Sequence, residues 1–206
     1  MPKTPHCTGV SEIGQSGAAL RESSETLYMS IFTTPLGVWG CAGDERGLLA
    51  VTIGHDTSAD ARERLRRQLA PHQTDGMPNT WVLDLSEDWP GWFASAADLL
   101  RRTARGERVD LSEIPLHYPP ATPLRRKIWD ATRRIAWGET LTYGQLAEIA
   151  GVPRGARTVG QAMSHNVLPI IIPCHRVVGA CEKLTGFSAP RGIDLKRDLL
   201  KQESAD

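Results

Sequence analysis

The residues best suited to chemistry stand side by side at Cys174, His175 and Arg176, in the tetrapeptide PCHR. They follow an apolar run at residues 169–172 and precede two valines. A cysteine reacts as its thiolate, and near pH 7 a free cysteine is only a few per cent ionised, so it needs a base, a cation or a helix N-terminus. His175 supplies a base and Arg176 a fixed cation. The pattern predicts a buried reactive thiol, with His175 acting through a bridging water because successive side chains of a strand point to opposite faces.

The same cysteine also fits a purely structural role. Free cysteine is among the most buried residue types and usually packs as a small hydrophobe. Cys174 taken alone favours that interpretation, and the surrounding segments decide between the two.

Composition limits the classes of protein to which the chain can belong. Its 206 residues suffice for one large domain or two small ones. The net charge of zero conceals −5 over residues 1–115 and +5 over residues 116–206. A basic C-terminal part is compatible with binding a polyanion, although an excess of this size is ordinary.

Neither a membrane nor a metal is indicated. No apolar run approaches the roughly 20 residues that span a bilayer, and the first 26 residues lack the apolar stretch of a secretory signal. We therefore expect a soluble cytoplasmic protein. The cysteines match neither a disulfide framework nor a paired zinc site, so we expect no metal. They are Cys7, Cys41, Cys174 and Cys181.

The first half of the chain predicts a small α/β domain over residues 26–117, preceded by a mobile tail at residues 1–25. Turn signals at residues 34–37 and 43–47 separate three apolar runs, which indicates a meandering antiparallel sheet. Further elements follow in order: a helix at residues 57–69, a strand at 82–85, and a helix capped by Ser86 that runs to Gly106.

The second half, residues 118–206, predicts a mainly helical domain that begins at a Tyr-Pro-Pro linker. Thr122 and Pro123 cap a helix that runs to Trp137. Thr142 caps a short helix, and a second helix starts at Ala156, which together form a helix-turn-helix pattern. Such helix pairs also occur in proteins that never bind DNA, so the pattern alone leaves DNA binding open. A last helix, residues 192–203, can close over the cysteine segment.

Residues 138–179, GETLTYGQLAEIAGVPRGARTVGQAMSHNVLPIIIPCHRVVG, resemble the core of the O6-alkylguanine-DNA alkyltransferases, also called methylated-DNA–protein-cysteine methyltransferases. The resemblance covers most of residues 118–206, and the TPLG turn resembles the N-terminal domain of the same family. It implies direct-reversal DNA repair. The protein would act once, as a monomer without a cofactor, moving the alkyl group from O6 of guanine in double-stranded DNA, or less readily from O4 of thymine, irreversibly to Cys174.

The resemblance also implies roles for the residues around the thiol. His175 would accept the thiol proton through a water, and Glu203 would orient the imidazole. Tyr143 would donate to the leaving purine, and Asn166 would tie the turn after the second helix to the cysteine segment. Without the resemblance, Glu203 would be a solvated carboxylate at a helix end and Tyr143 a packing residue.

DNA contacts follow from the helix-turn-helix. The thiol cannot reach a paired base, so the damaged nucleotide must be flipped out of the duplex, and Arg157 would take its place in the stack. A phosphate contact is the simpler alternative for Arg157. The other residues expected at DNA are Tyr143, Ala156, Thr158, Gln161 and Met163.

The base pocket would be formed by Val177, Phe187, Ser188 and Trp137. The carbonyl of Val177 would accept from the guanine amino group, and the loop at Phe187 and Ser188 would cover the alkyl group. This loop is about two residues longer than the family's common form, and Phe187 stands where a tyrosine is usual. Its length could admit larger alkyl groups or restrict them.

Three other functions compete with repair. A non-repairing relative that binds alkylated bases and recruits other machinery usually has tryptophan at the cysteine position, which Cys174 argues against. A plain helix-turn-helix regulator leaves PCHR unexplained. A cysteine–histidine hydrolase usually needs a histidine distant in sequence and an oxyanion hole, so the contiguous pair fits it poorly.

Overall fold

The computed structural model describes residues 26–70, 81–83, 89–118 and 120–204. The predictions for the tail and for the Ser86 cap lie outside these residues. Within them, no helix has the length and apolar character needed to cross a membrane.

The N-terminal part is built on a sheet whose first three strands form the predicted antiparallel meander. These strands are β1 (Leu27–Thr34), β2 (Gly37–Asp44) and β3 (Gly47–His55). A short strand, β4 (Trp81–Leu83), pairs in parallel with β1, giving the order β3-β2-β1-β4. The prediction of a small antiparallel sheet is thus confirmed, with one parallel strand at its edge.

Two helices cover this sheet. Helix α1 (Ser58–Leu69) is capped by the Thr57 side chain and buries Ala61, Leu65 and Leu69. Helix α2 (Gly91–Ala104) begins after Pro90. Proline suits such a boundary because it has no N–H to leave unpaired.

The C-terminal part is mainly helical, as predicted. Its helices are α3 (Pro123–Arg133), α4 (Tyr143–Ile149), α5 (Ala156–Ser164) and α6 (Gly192–Glu203). The side chains of Thr142 and Gln145 form a capping box at the start of α4. Two short strands, β5 (Leu141–Thr142) and β6 (Val177–Val178), pair in parallel.

The prediction that α3 reaches Trp137 is wrong, because the helix ends at Arg133. The amide of Ile135 donates to the carbonyl of Thr132, which tightens the last turn. The carbonyl of Ile135 instead accepts from Arg176 Nη1 at 2.7 Å. Beyond the end of α3, this carbonyl therefore forms a tertiary hydrogen bond in place of a helical one.

The two parts meet along β3. The amide of Val51 donates to the carbonyl of Val167 at 2.8 Å, just before the cysteine segment. Gly54, with φ of +72°, packs against the Leu195 side chain of α6. One apolar cluster includes residues from both parts. The N-terminal sheet is therefore docked directly onto the elements that carry the thiol.

This junction generates a stability prediction. We expect Gly54→Ala to lower the free energy of unfolding by about 1–3 kcal/mol, because the new methyl group would overlap Leu195 and an L-residue is strained at this φ. Urea denaturation measures the change. In the control Gly91→Ala, no atom of the described residues lies within 4 Å of the added Cβ, so we expect no loss. Equal stabilities of the two variants would contradict the tight junction.

Candidate active site and nucleic-acid interface

The cysteine segment is a 3₁₀ turn over Cys174–Arg176 rather than the strand assumed from the sequence. The Cys174 amide donates to the Ile172 carbonyl at 2.7 Å. Asn166 clamps the same stretch: its Nδ2 donates to the Ile172 carbonyl at 2.9 Å, and its Oδ1 accepts from the Leu168 amide at 2.9 Å. These two bonds join the turn after α5 to the cysteine segment. Between Leu168 and Ile172, the backbone of Ile170 adopts a φ of 75°, a strained value for a β-branched residue.

The carboxylate of Glu203, at the end of α6, is hydrogen-bonded to side chains of the turn that carries Cys174. Its Oε1 is 2.8 Å from His175 Nε2, and Arg176 donates from Nε to Oε2 and from Nη2 to Oε1, both at 2.9 Å. All three side chains are buried. Burial alone would raise the pKa of Glu203, but the hydrogen bonds from His175 and Arg176 outweigh it and lower the pKa to about 2. The carboxylate is therefore ionised at neutral pH.

His175 is held as a neutral base. Burial lowers its pKa, against the opposing effect of Glu203. Because the carboxylate only accepts, the shared proton belongs on Nε2, which leaves the Nδ1 lone pair free. Nδ1 is buried and has no hydrogen-bond partner among the described residues. The ring can therefore take up a proton at Nδ1.

The thiol itself is half-buried at the edge of a cavity. Burial raises the pKa of Cys174, while the hydrogen bond from Asn166 and the charge of Lys196 act in the opposite direction. Proton removal therefore requires a base, which His175 can supply.

Lys196 was not predicted as a site residue, whereas Arg176 was predicted as a fixed cation beside the sulfur and is instead paired with Glu203. Lys196 is fully buried on α6, and its Nζ donates to the Val177 carbonyl at 2.6 Å. A signal existed in the sequence: residues 196, 199 and 203 follow helical spacing, so Lys196 and Glu203 share the apolar face with Leu199. A lysine and a glutamate on the buried stripe of a helix indicate buried polar partners.

One cavity of about 1170 Å³ brings most of the predicted residues together. Those that line it are Tyr143, Ala156, Arg157, Met163, Asn166, Cys174, Phe187 and Ser188. Tyr143 opens α4, and its hydroxyl accepts from Thr185 Oγ1 at 3.4 Å. Arg157 is exposed near the start of α5. The thiol therefore opens into the same space as the helix-turn-helix.

Other predicted residues do not line this cavity. Thr158 and Gln161 are exposed on α5. Val177 is fully buried, and its carbonyl already accepts from Lys196. Trp137 lies 5.7 Å from the guanidinium of Arg176 and borders a separate cavity of about 490 Å³, so it is not part of the predicted base pocket. The early end of α3 places it there.

These features define a helix-turn-helix protein with an enclosed thiol, served by a buried His–Glu pair and attached to a small α/β part. The family described as "6-O-methylguanine DNA methyltransferase, DNA binding domain" matches residues 123–205. A methylated-DNA–protein-cysteine methyltransferase of Methanosarcina acetivorans is 34% identical over 179 residues, covering 87% of this chain and 99% of the relative. The chain belongs to the methylated-DNA–protein-cysteine methyltransferase family, which confirms the resemblance.

Solved structures agree over both parts of the chain. Mycobacterium tuberculosis OGT in complex with DNA matches with a TM-score of 0.65 and 32% identity, covering 87% of this chain and 93% of that one. The structure described as Mycobacterium tuberculosis O6-methylguanine methyltransferase matches with the same score and identity, over 96% of its length. The fold therefore extends beyond the helix-turn-helix to the N-terminal sheet.

The carboxylate generates a prediction about stability and pH. We expect Glu203→Gln to lower the free energy of unfolding at pH 7 by about 3 kcal/mol, because Arg176 would be left buried without its counter-ion. The wild-type carboxylate has a pKa of about 2 in the folded state against an ordinary value of 4.5. Its stabilisation is therefore complete above about pH 5 and is lost as the pH falls towards 2.

Urea denaturation between pH 7 and pH 2 measures both effects. The variant should lack that part of the acid-induced loss, whereas Glu148→Gln, at an exposed position on α4, should resemble the wild type. An unchanged stability of Glu203→Gln at pH 7 would mean that the carboxylate is not the partner of Arg176.

Proposed function

We propose that this protein repairs alkylated DNA by direct reversal, taking the alkyl group from O6 of guanine, and less readily from O4 of thymine, onto Cys174. The observation that carries the proposal is the single cavity that holds the thiol together with Tyr143 and Arg157 of the helix-turn-helix. The names of the relatives and the DNA bound to the Mycobacterium tuberculosis structure support it.

The thiol attacks the alkyl carbon in line with the O6–C bond. The Sγ–C bond forms as the C–O6 bond breaks, and the electron pair leaves on the purine. The thiol proton passes to Nδ1 of His175 through a bridging water, and the positive charge on the ring is stabilised by Glu203. The purine takes up a proton from the Tyr143 hydroxyl, and the proton held on His175 then returns to the phenolate through solvent, so that one proton has passed in total from the thiol to the guanine. The product is a thioether, so each molecule acts once, and the balance requires no cofactor.

DNA enters through α4 and α5. The lesion reaches the thiol only when its nucleotide is flipped out of the duplex, at a cost of a few kcal/mol that is smaller for a poorly paired alkylated base. Arg157, exposed at the start of α5, fills the space left in the stack, and Thr158 and Gln161 contact the duplex from the outer face of α5. Asn166 keeps the turn after α5 fixed to the cysteine segment.

We further propose that the protein acts as a cytoplasmic monomer. The nucleophile, the base and the DNA-contacting helices all come from one chain, so the reaction needs no second copy. Residues 26–117 and 118–206 form its two domains, which stay in contact through β3.

The decisive test is the intact mass of the protein after incubation with a short duplex containing one O6-methylguanine. We expect one added methyl group, mapped to Cys174 by peptide analysis, and no addition to Cys174→Ala. Cys181→Ala, which changes an exposed thiol, should react like the wild type. Lesion-dependent binding without transfer by the wild type would favour the alternative, a non-repairing protein that binds alkylated bases and signals to other repair machinery.

Arg157 gives a second prediction. We expect Arg157→Ala to slow repair of duplex DNA by at least about tenfold, since stacking and cationic contacts of this kind contribute roughly 1–3 kcal/mol, and to leave reaction with free O6-methylguanine base nearly unchanged. Single-turnover rates on both substrates test this, with Arg66→Ala on α1 as a control for lost positive charge. Equal losses on both substrates would assign Arg157 to the fold instead.

A further inference from the structure

The wall of the thiol cavity is not built by the C-terminal part alone. Strand β3 contributes Val51, Thr52 and Ile53, and helix α1 contributes Arg64 and Gln68. Cys174 and the loop at Phe187 and Ser188 line the same space. Two N-terminal elements therefore complete the space in which a transferred group must lie.

This wall is held firmly relative to the thiol. Val51 is tied to Val167 by a backbone hydrogen bond of 2.8 Å, and Asn166, beside Val167, clamps the cysteine segment. Helix α1 packs on the sheet through the buried side chains of Leu65 and Leu69. The backbone positions of Arg64 and Gln68 beside the cavity are therefore fixed, while the Arg64 side chain itself is exposed.

The two α1 residues present polar groups to a cavity with mainly apolar walls. They are one helical turn apart and so lie on the same face of α1. The Oε1 atom of Gln68 is buried and has no hydrogen-bond partner among the described residues. With the amide turned over, this buried position holds Nε2, a donor that an oxygen atom of a ligand can satisfy. Arg64 forms no ion pair with another described residue. It also borders a smaller cavity, together with the acidic residues Asp56, Asp60 and Glu63.

The cavity is larger than a guanine base with one methyl group requires. Its volume of about 1170 Å³ lies above the roughly 300–1,000 Å³ of pockets that enclose drug-sized ligands. Apolar side chains form much of its wall, among them Ile53, Met163 and Phe187. A substituent with an apolar body and a polar tip matches this distribution.

We propose that Arg64 and Gln68 form a specificity subsite for large O6 substituents that end in a carboxylate. The proposal rests on the proposed function and extends it to the class of alkyl group accepted. The apolar body of the substituent lies on Ile53 and Phe187, and its carboxylate accepts from the Arg64 guanidinium and the Gln68 amide, whose two ends can exchange by a flip. Transfer follows the same balance as for a methyl group: the benzylic or alkyl carbon bonds to Sγ as its bond to O6 breaks.

Two free bases of nearly equal size test this, O6-(4-carboxybenzyl)guanine and O6-(4-methylbenzyl)guanine. The measured quantity is the ratio of their single-turnover rate constants, carboxybenzyl over methylbenzyl. We expect Arg64→Ala to lower this ratio about fivefold at low salt, as for loss of one partly exposed charge pair, and the effect to shrink at high salt. Gln68→Leu should also lower it. Arg66→Ala removes an exposed arginine of the same helix that does not line the cavity, and should leave the ratio unchanged.

Each outcome is decisive. A ratio that Arg64→Ala and Gln68→Leu leave unchanged, or that Arg66→Ala lowers equally, refutes the subsite. A wild-type protein that takes methyl from duplex DNA but reacts with neither benzyl compound also refutes the subsite while leaving the proposed function intact. No transfer from any of the three substrates refutes both.

Discussion

The structure of the site depends on the burial of one carboxylate, that of Glu203. A charge removed from water is tolerated only when donors surround it, and here they come from His175, Arg176 and the amide of Gly138. These donors belong to the turn that bears the thiol and to the connection after α3, so a single group joins these two segments to α6. It also sets the tautomer of the imidazole. Stability and chemistry are therefore coupled at this residue, and neither can be changed without the other.

The N-terminal sheet is part of the site and not merely attached to it. Strand β3 bonds to the segment before the cysteine, and α1 borders the cavity that the thiol faces. The apolar cluster is continuous across both parts. The division at residues 117 and 118 stays a prediction, and the shared core indicates that the two parts stabilise each other.

Local signals were sufficient for much of this architecture. The turns flanking β2 specify the meander, and Thr142 specifies the start of α4, because turn and cap residues act within a few positions. The end of α3, the 3₁₀ turn at Cys174 and the position of Trp137 could not be predicted this way. Ile135 and Trp137, which follow the end of α3, both contact Arg176, a residue distant from them in sequence. The contribution of α1 to the cavity could not be predicted either, because no local sequence pattern indicates which surface a helix faces across the junction between two parts of the chain.

The hydrogen bond between Val51 and Val167 has a consequence for how the protein folds. Its two residues are more than a hundred positions apart, and the pairing of Glu203 with Arg176 adds a second long-range closure. Loop-closure entropy makes such contacts late and slow to form. The environment of the thiol is therefore completed only when contacts between β3 and α6 have closed around it, so the reactivity of Cys174 reports the folding of both parts of the molecule and not that of its own segment.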